Sequence, residues 1–136
     1  MRIADVMTTS PVTVSAEVPV AEAFRVATAN GIHHLVITDG QLPIGLVCVR
    51  CDLADALPRQ PVGWFMSRPV TVGAYETARQ ASRTMCRRGI GALIVRGGDS
   101  GWGIATRGDL LRAGFRAGEE EGLFFCASCG THLHVH

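Results

Sequence analysis

The chain contains no lysine: its thirteen basic residues are all arginine, set against twelve acidic ones, for a formal charge of +1. So small an excess supplies no basic field over one face, which excludes bulk electrostatic binding to nucleic acid or to an anionic membrane surface. No apolar run reaches the roughly eighteen residues a membrane span requires. The opening Met1-Arg-Ile-Ala-Asp5 places an acid early and offers no apolar stretch of the kind a secretory signal carries, so the expected location is the cytoplasm. Cysteines number five, and an odd count argues against a closed disulfide framework. The phosphate-binding P-loop pattern is missing, and no nucleophile has a base nominated by spacing, so the chain is not expected to be an enzyme.

What is present is a repeat. Pro11-Val-Thr-Val14, Gly31-Ile32 and Gly45 recur as Pro69-Val-Thr-Val72, Gly89-Ile90 and Gly103; 69 minus 11, 89 minus 31 and 103 minus 45 all give 58. An offset held at three landmarks marks a duplicated supersecondary unit, and two copies are too few for an open solenoid. The copies are expected to close on each other about a pseudo-twofold axis, leaving clefts of the kind small ligands prefer. With 136 residues, 47% of them hydrophobic, there is apolar material for one such domain.

In the first copy, Pro19 suits a helix start, Val20, Phe24 and Ala27 share one stripe, and Asn30-Gly31 supplies a stop. Strands are expected over His34 to Thr38 and Ile44 to Val49, joined across Asp39-Gly40. Asp52 then caps a short helix ending before Pro58. The second copy predicts a helix over Thr77 to Arg88, strands over Ala92 to Arg96 and Trp102 to Thr106, and a helix from Asp109. Each unit is therefore β-α-β-β-α, an α/β (α+β) arrangement divided as residues 1–58 and 59–117. Pro58 to Gly63 is a short linker. Arg79, Arg83 and Arg87 fall on one helical face, most simply a solvated one. A Cys/His-rich tail occupies 118–136.

The doubled pattern, with each second strand running through Gly-apolar-apolar toward an acid, resembles a tandem pair of cystathionine beta-synthase (CBS) domains, or Bateman module. Its most specific sign is Gly103-Ile-Ala-Thr106-Arg-Gly-Asp109, supported by Asp5-Val-Met7 and Trp64-Phe-Met66 ahead of each Pro-Val-Thr-Val. The resemblance implies a regulatory module. It would bind an adenine nucleotide (AMP, ADP or ATP) or S-adenosylmethionine between repeats, pair as a homodimer through faces including Phe24 and Met85, and act on an unidentified partner protein. It also implies that Asp109 holds a ribose and Thr106 a phosphate, with Gly103, Ile104 and Arg107 in the same motif. Pro69, Val70 and Thr71 would line the base slot, and His34 stands where the family often presents a phosphate-contacting cation. The chemistry is sound, because a carboxylate can accept from both ribose hydroxyls. Asp109 could equally serve only to cap its helix.

Aligned from Gly45, the first copy has Cys48 in the hydroxyl position, and its acid, Asp52, arrives one residue late. A thiol is a weak hydrogen-bonding group, and one extra residue is expected to turn the carboxylate away, impairing that site. Cys48-Val-Arg-Cys51 has metal-ligand spacing, although two small apolar side chains at a strand end explain it more plainly. Cys86 is assigned to the core.

In the tail, Phe124-Phe-Cys126-Ala-Ser-Cys129-Gly130 looks like one knuckle of a zinc ribbon, and Cys126 and Cys129 with two of His132, His134 and His136 would make a tetrahedral zinc site, unless Cys48 and Cys51 or the tail of a second chain supply the second pair. Two further readings compete with the nucleotide sensor. One is a metal or redox switch built on the repeats as a dimerising scaffold; the other is an interaction domain with both clefts degenerate.

Overall fold

Val20, Ala23 and Ala27 are all but fully buried along α1 (Val20–Asn30), at spacings of three and four residues that draw one stripe on a helix. Ala23, not Phe24, belongs to that stripe; Phe24 sits one position round the helix and is 39% exposed. Pro19 is the N-cap, and Gly31 closes the helix in the left-handed region at φ 64°. The computed structural model describes residues 1–98, 101–114, 123–125 and 132–134.

Around α1 stand β1 (Thr13–Ser15), β2 (His34–Asp39) and β3 (Leu42–Cys48). They form a sheet in the order β1-β2-β3, with β1 parallel to β2 and β2 antiparallel to β3. The second copy repeats the plan with β4 (Thr71–Gly73), α2 (Ala78–Arg88), β5 (Ala92–Arg96) and β6 (Trp102–Thr106), in the sheet order β4-β5-β6. The last helix, α3 (Arg107–Arg112), begins two residues before Asp109 with Thr106 as its N-cap. The tail contributes β7 (Leu123–Phe125) and β8 (His132–His134), which pair antiparallel. The architecture is mixed α+β, with a three-stranded sheet in each copy.

The helix expected after Asp52 does not form. Residues 49–55 are turns, whereas the equivalent stretch of the second copy becomes α3. The difference lies at the cap: Thr106 Oγ1 accepts from the Asp109 amide at 3.2 Å, and the first copy has a cysteine where that hydroxyl stands. Met85 also departs from expectation. It is 0% exposed within the core of its unit, so it is unable to contribute to a surface that meets another chain. Cys86 is buried as expected, and Arg79, Arg83 and Arg87 are exposed.

Packing groups Pro11–Pro69 as one unit and Met1–Ser10 with the chain from Val70 onward as the other. The first ten residues therefore serve the second copy. Ile3 N donates to Glu76 O at 2.7 Å, Ala78 N to Met1 O at 2.8 Å, and Thr8 and Ile104 exchange two backbone hydrogen bonds at 2.7 and 3.0 Å. A matching segment before the second copy serves the first: Val62 N donates to Val18 O at 2.8 Å, while Leu46 and Ser67 exchange bonds at 3.0 and 2.8 Å.

Gly103 is the point of closest approach in the second unit, since a Cβ there would stand 2.6 Å from the Thr8 carbonyl oxygen. Backbone held by two hydrogen bonds is unable to step aside as a side chain would. Gly103→Ala is expected to cost about 1–3 kcal/mol, the usual range for overpacking. Gly73→Ala, with nothing within 4 Å of its Cβ, is the matched control. Denaturant midpoints check the pair, and equal midpoints would contradict the close-approach argument. No helix among the described residues is long and apolar enough to cross a membrane.

Candidate functional site

The sheet register brings several of the sequence-selected residues to one end of the second unit. Thr71 on β4 lies in line with Ile94 on β5, which pairs with Ile104 on β6, while Thr106 pairs with Ala92 where β5 begins. The start of β4, at Thr71 with Val70 just before it, and the end of β6, at Thr106, therefore lie at the same end of the sheet on either side of β5, with α3 leaving from it. Val70 O accepts from Ile94 N at 2.9 Å and Arg107 N donates to Gly91 O at 3.0 Å, which ties the chain to both flanks of β5 at this end. Pro69 and His34 fall by packing in the other unit.

At the turn into α3, Thr106 and Asp109 form a reciprocal pair. Thr106 N donates to Asp109 Oδ2 at 2.9 Å, and Asp109 N donates back to Thr106 Oγ1 at 3.2 Å. This is a capping box with aspartate in place of the commoner glutamate. Asp109 is the N3 half of that box, the N-cap being Thr106, and its other oxygen, Oδ1, accepts from Arg112 Nη2. The two sides of that ion pair differ: the Asp109 side chain is 8% exposed and that of Arg112 is 73% exposed. Oδ2 is committed to the backbone, while Oδ1 faces a guanidinium that solvent already reaches. Arg107, the first residue of α3, is 9% exposed. Arg112 escaped the reading of the motif, although the spacing of three between Asp109 and Arg112 on one helix was a visible signal.

The first copy reaches a similar geometry by a longer route. Val49 N donates to His33 O at 2.8 Å, the counterpart of the bond from Arg107 to Gly91. Asp52 Oδ2 then accepts from Cys48 N at 2.7 Å, as Asp109 Oδ2 accepts from Thr106 N. The extra residue is absorbed by a wider turn, closed by Asp52 N donating to Cys48 O at 2.8 Å. The insertion therefore does not carry the carboxylate away from the strand end. It replaces a helix start by a turn.

His34 lies directly across the strand pair from Cys48. Its Nε2 is buried with no hydrogen-bond partner among the described residues. Burial, reinforced by the neighbouring His33, lowers its pKa from the usual 6.5 to about 4. At neutral pH His34 is an uncharged hydrogen-bonding group and not the cation its position suggested.

Cys48 is buried and Cys51 exposed, and no group of three or more His, Cys, Asp or Glu among the described residues is placed to hold a metal ion. Of the tail ligands, His132 and His134 stand on β8, whereas Cys126, Cys129 and His136 lie outside the described residues.

Many solved structures resemble this one, among them the following three. A conserved CBS domain protein, TA0289 of Thermoplasma acidophilum, matches with TM-score 0.74 and 24% identity, over 89% of this chain and 73% of that one. The CBS domain pair of protein MJ0100, solved in complex with 5′-methylthioadenosine and S-adenosyl-L-methionine, matches with TM-score 0.71 and 22% identity over 83% and 94% of the two chains. The CBS domain of a bacterial CNNM/CorC family Mg2+ transporter, in complex with ATP, matches with TM-score 0.72 and 16% identity over 82% and 85%. No curated protein matches. At these identities the structural likenesses speak to fold alone. The sequence itself matches the CBS domain twice, over residues 3–50 and 62–116, and the chain belongs to the CBS domain family.

Proposed function

We propose that the protein is a non-catalytic regulatory module that binds an adenosine-containing ligand, an adenine nucleotide or S-adenosylmethionine, at the second-copy turn, and passes its occupancy to a partner protein. The observation that carries the reading is the buried Asp109 carboxylate, anchored through Oδ2 and opposed at Oδ1 by a largely exposed guanidinium. A ribose diol supplies two hydroxyl donors, so it can take the place of Arg112 at Oδ1, one charge-assisted hydrogen bond being exchanged for another. Thr106, Arg107 and the released Arg112 then stand near the phosphates or the sulfonium side of the ligand. Gly103 and Ile104 shape the strand beneath it, and Pro69, Val70, Thr71 and His34 complete the set proposed to line the site. The solved relatives that hold S-adenosylmethionine, 5′-methylthioadenosine and ATP support this ligand class. Assembly as a homodimer, with Phe24 on an exposed helix face, belongs to the same reading.

Calorimetric titration with AMP, ATP and S-adenosylmethionine tests it. Loss of a charge-assisted hydrogen bond costs about 1.5–3 kcal/mol, so Asp109→Ala is expected to weaken binding roughly tenfold to a hundredfold. Circular dichroism on the same sample guards against the lost cap, itself worth about 1 kcal/mol. Should Asp109→Ala bind as tightly as the parent while Asp52→Ala does not, the site belongs to the first copy.

A second reading concerns the tail, where the pairing of β7 with β8 sets Phe125 opposite His132 and places His132 and His134 on one strand. We propose that Cys126 and Cys129, with histidines drawn from His132, His134 and His136, hold a structural zinc ion. Elemental analysis is expected to find about one zinc per chain, or one per dimer if tails share a site, abolished by the pair Cys126→Ser and Cys129→Ser. Metal-free protein purified without chelators would refute the zinc site and leave the nucleotide reading untouched.

A further inference from the structure

The one-residue difference between the two turns has a chemical result, since it gives the first copy two cysteines where the second copy has Thr106, Arg107 and Gly108. Cys48 closes β3 and is buried, while Cys51 stands three residues on and is exposed. The chain between them is bent into a single turn by the two bonds joining Cys48 and Asp52, at 2.7 and 2.8 Å. The bond from Asp52 N to Cys48 O has the span of a single α-helical turn, in which residues three apart hold their Cβ atoms about 5–6 Å from each other. A disulfide needs about 3.5–4.5 Å, so closure requires a movement of only about 1–2 Å. The stretch 49–55 is a run of turns and not a helix, so no continuous ladder of helical hydrogen bonds resists that movement.

We propose that Cys48 and Cys51 form a redox-active dithiol that closes to an intramolecular disulfide when the protein meets a peroxide. The burial pattern assigns the order of events, because an oxidant reaches an exposed sulfur first and a neighbouring buried one then resolves it. The Cys51 sulfur attacks one oxygen of hydrogen peroxide; the O–O bond breaks, Cys51 becomes a sulfenic acid, and one water leaves. The Cys48 sulfur then attacks Cys51 Sγ; the S–O bond breaks, and the hydroxyl leaves as a second water with the Cys48 proton. Two thiols and one peroxide give one disulfide and two waters, with two electrons passing from sulfur to the peroxide. Asp52 shares the turn, so the oxidation state is written directly onto the position of its carboxylate.

The sequence provides its own assay. Arg50 lies between the two cysteines, so trypsin releases residues 26–50 and 51–59 as separate peptides unless a disulfide joins them. The full chain, carrying Cys126→Ser and Cys129→Ser to silence the tail, is treated with hydrogen peroxide under native conditions, alkylated, digested and weighed. The expected result is a joined pair two hydrogens lighter than the separate peptides combined, released by dithiothreitol and missing from Cys51→Ser. Two outcomes would overturn the proposal. In one, the peptides stay separate, with Cys51 over-oxidised and Cys48 still alkylated. In the other, Cys51 links to Cys51 of a second chain.

Discussion

Ile3→Ala should cost about 2–5 kcal/mol, and the loss should fall on the second copy although Ile3 stands beside the first in sequence. The side chain is 0% exposed and packs with Val72, Ala78, Met85, Leu93 and Leu110. Its neighbours are held by sheet and helix hydrogen bonds and are unable to collapse into the space left behind, which is the condition under which a deleted side chain costs most. The backbone around it adds a second reason. Met1 O accepts from the amide of Ala78 at the start of α2, and Ile3 and Ala4 donate to Glu76 and Ala74 on the approach to that helix. Loosening the segment therefore loosens the first turn of α2. Hydrogen exchange is expected to show protection falling in α2 and β4 to β6 while β1 to β3 hold theirs. Loss confined to β1 to β3, or a variant as stable as the parent, would show that the opening residues do not belong to the second unit.

Acid should weaken the fold by an amount of similar size through His34. Its folded pKa, about 4, lies below the 6.5 of the unfolded chain, so between those values the unfolded state binds the proton and the native state does not. Stability from this group is therefore complete above pH 6.5, declines as pH falls, and is exhausted near pH 4. The span corresponds to roughly 3 kcal/mol at about 1.4 kcal/mol per unit. Carboxylates titrate in the same range, so the informative quantity is a difference: His34→Gln is expected to show a shallower fall in urea stability from pH 6.5 to 4 than the parent. Parallel curves would mean that the ring carries its proton as readily folded as unfolded. Desolvation leads because Nε2 is buried without a hydrogen-bond partner among the described residues, and the exposed His33 adds like charge.

The element boundaries show what is legible in a linear chain. The strands Ala92–Arg96 and Trp102–Thr106 and the helix ending at Arg88 fall where β-branched runs, a Gly-rich turn and a C-terminal glycine place them. These signals are local, so no distant contact had to be known. The pairing of Thr106 with Asp109 is local too, three residues apart, and its geometry follows from its spacing. Phe24 and Met85 show the limit: both lie on amphipathic helices, but which apolar side chain turns inward depends on the sheet beneath, and a rotation of one position exchanges Phe24 for Ala23.

By itself, then, the sequence determined the duplication at 58 residues, the order of strands and helices in the second copy and as far as β3 in the first, and the turn at Thr106 to Asp109, because each rests on periodicity or contacts within a few residues. Only the tertiary structure decided three things. Met1–Ser10 packs with the chain beyond Val70, a contact across about seventy residues that no local pattern encodes. The Asp52 carboxylate returns to the Cys48 amide despite the inserted residue, because a flexible turn could widen where a rigid helix would have rotated it away. And His34 loses its charge, because a titratable ring takes its pKa from the water it is denied, and that is a property of the packing around it.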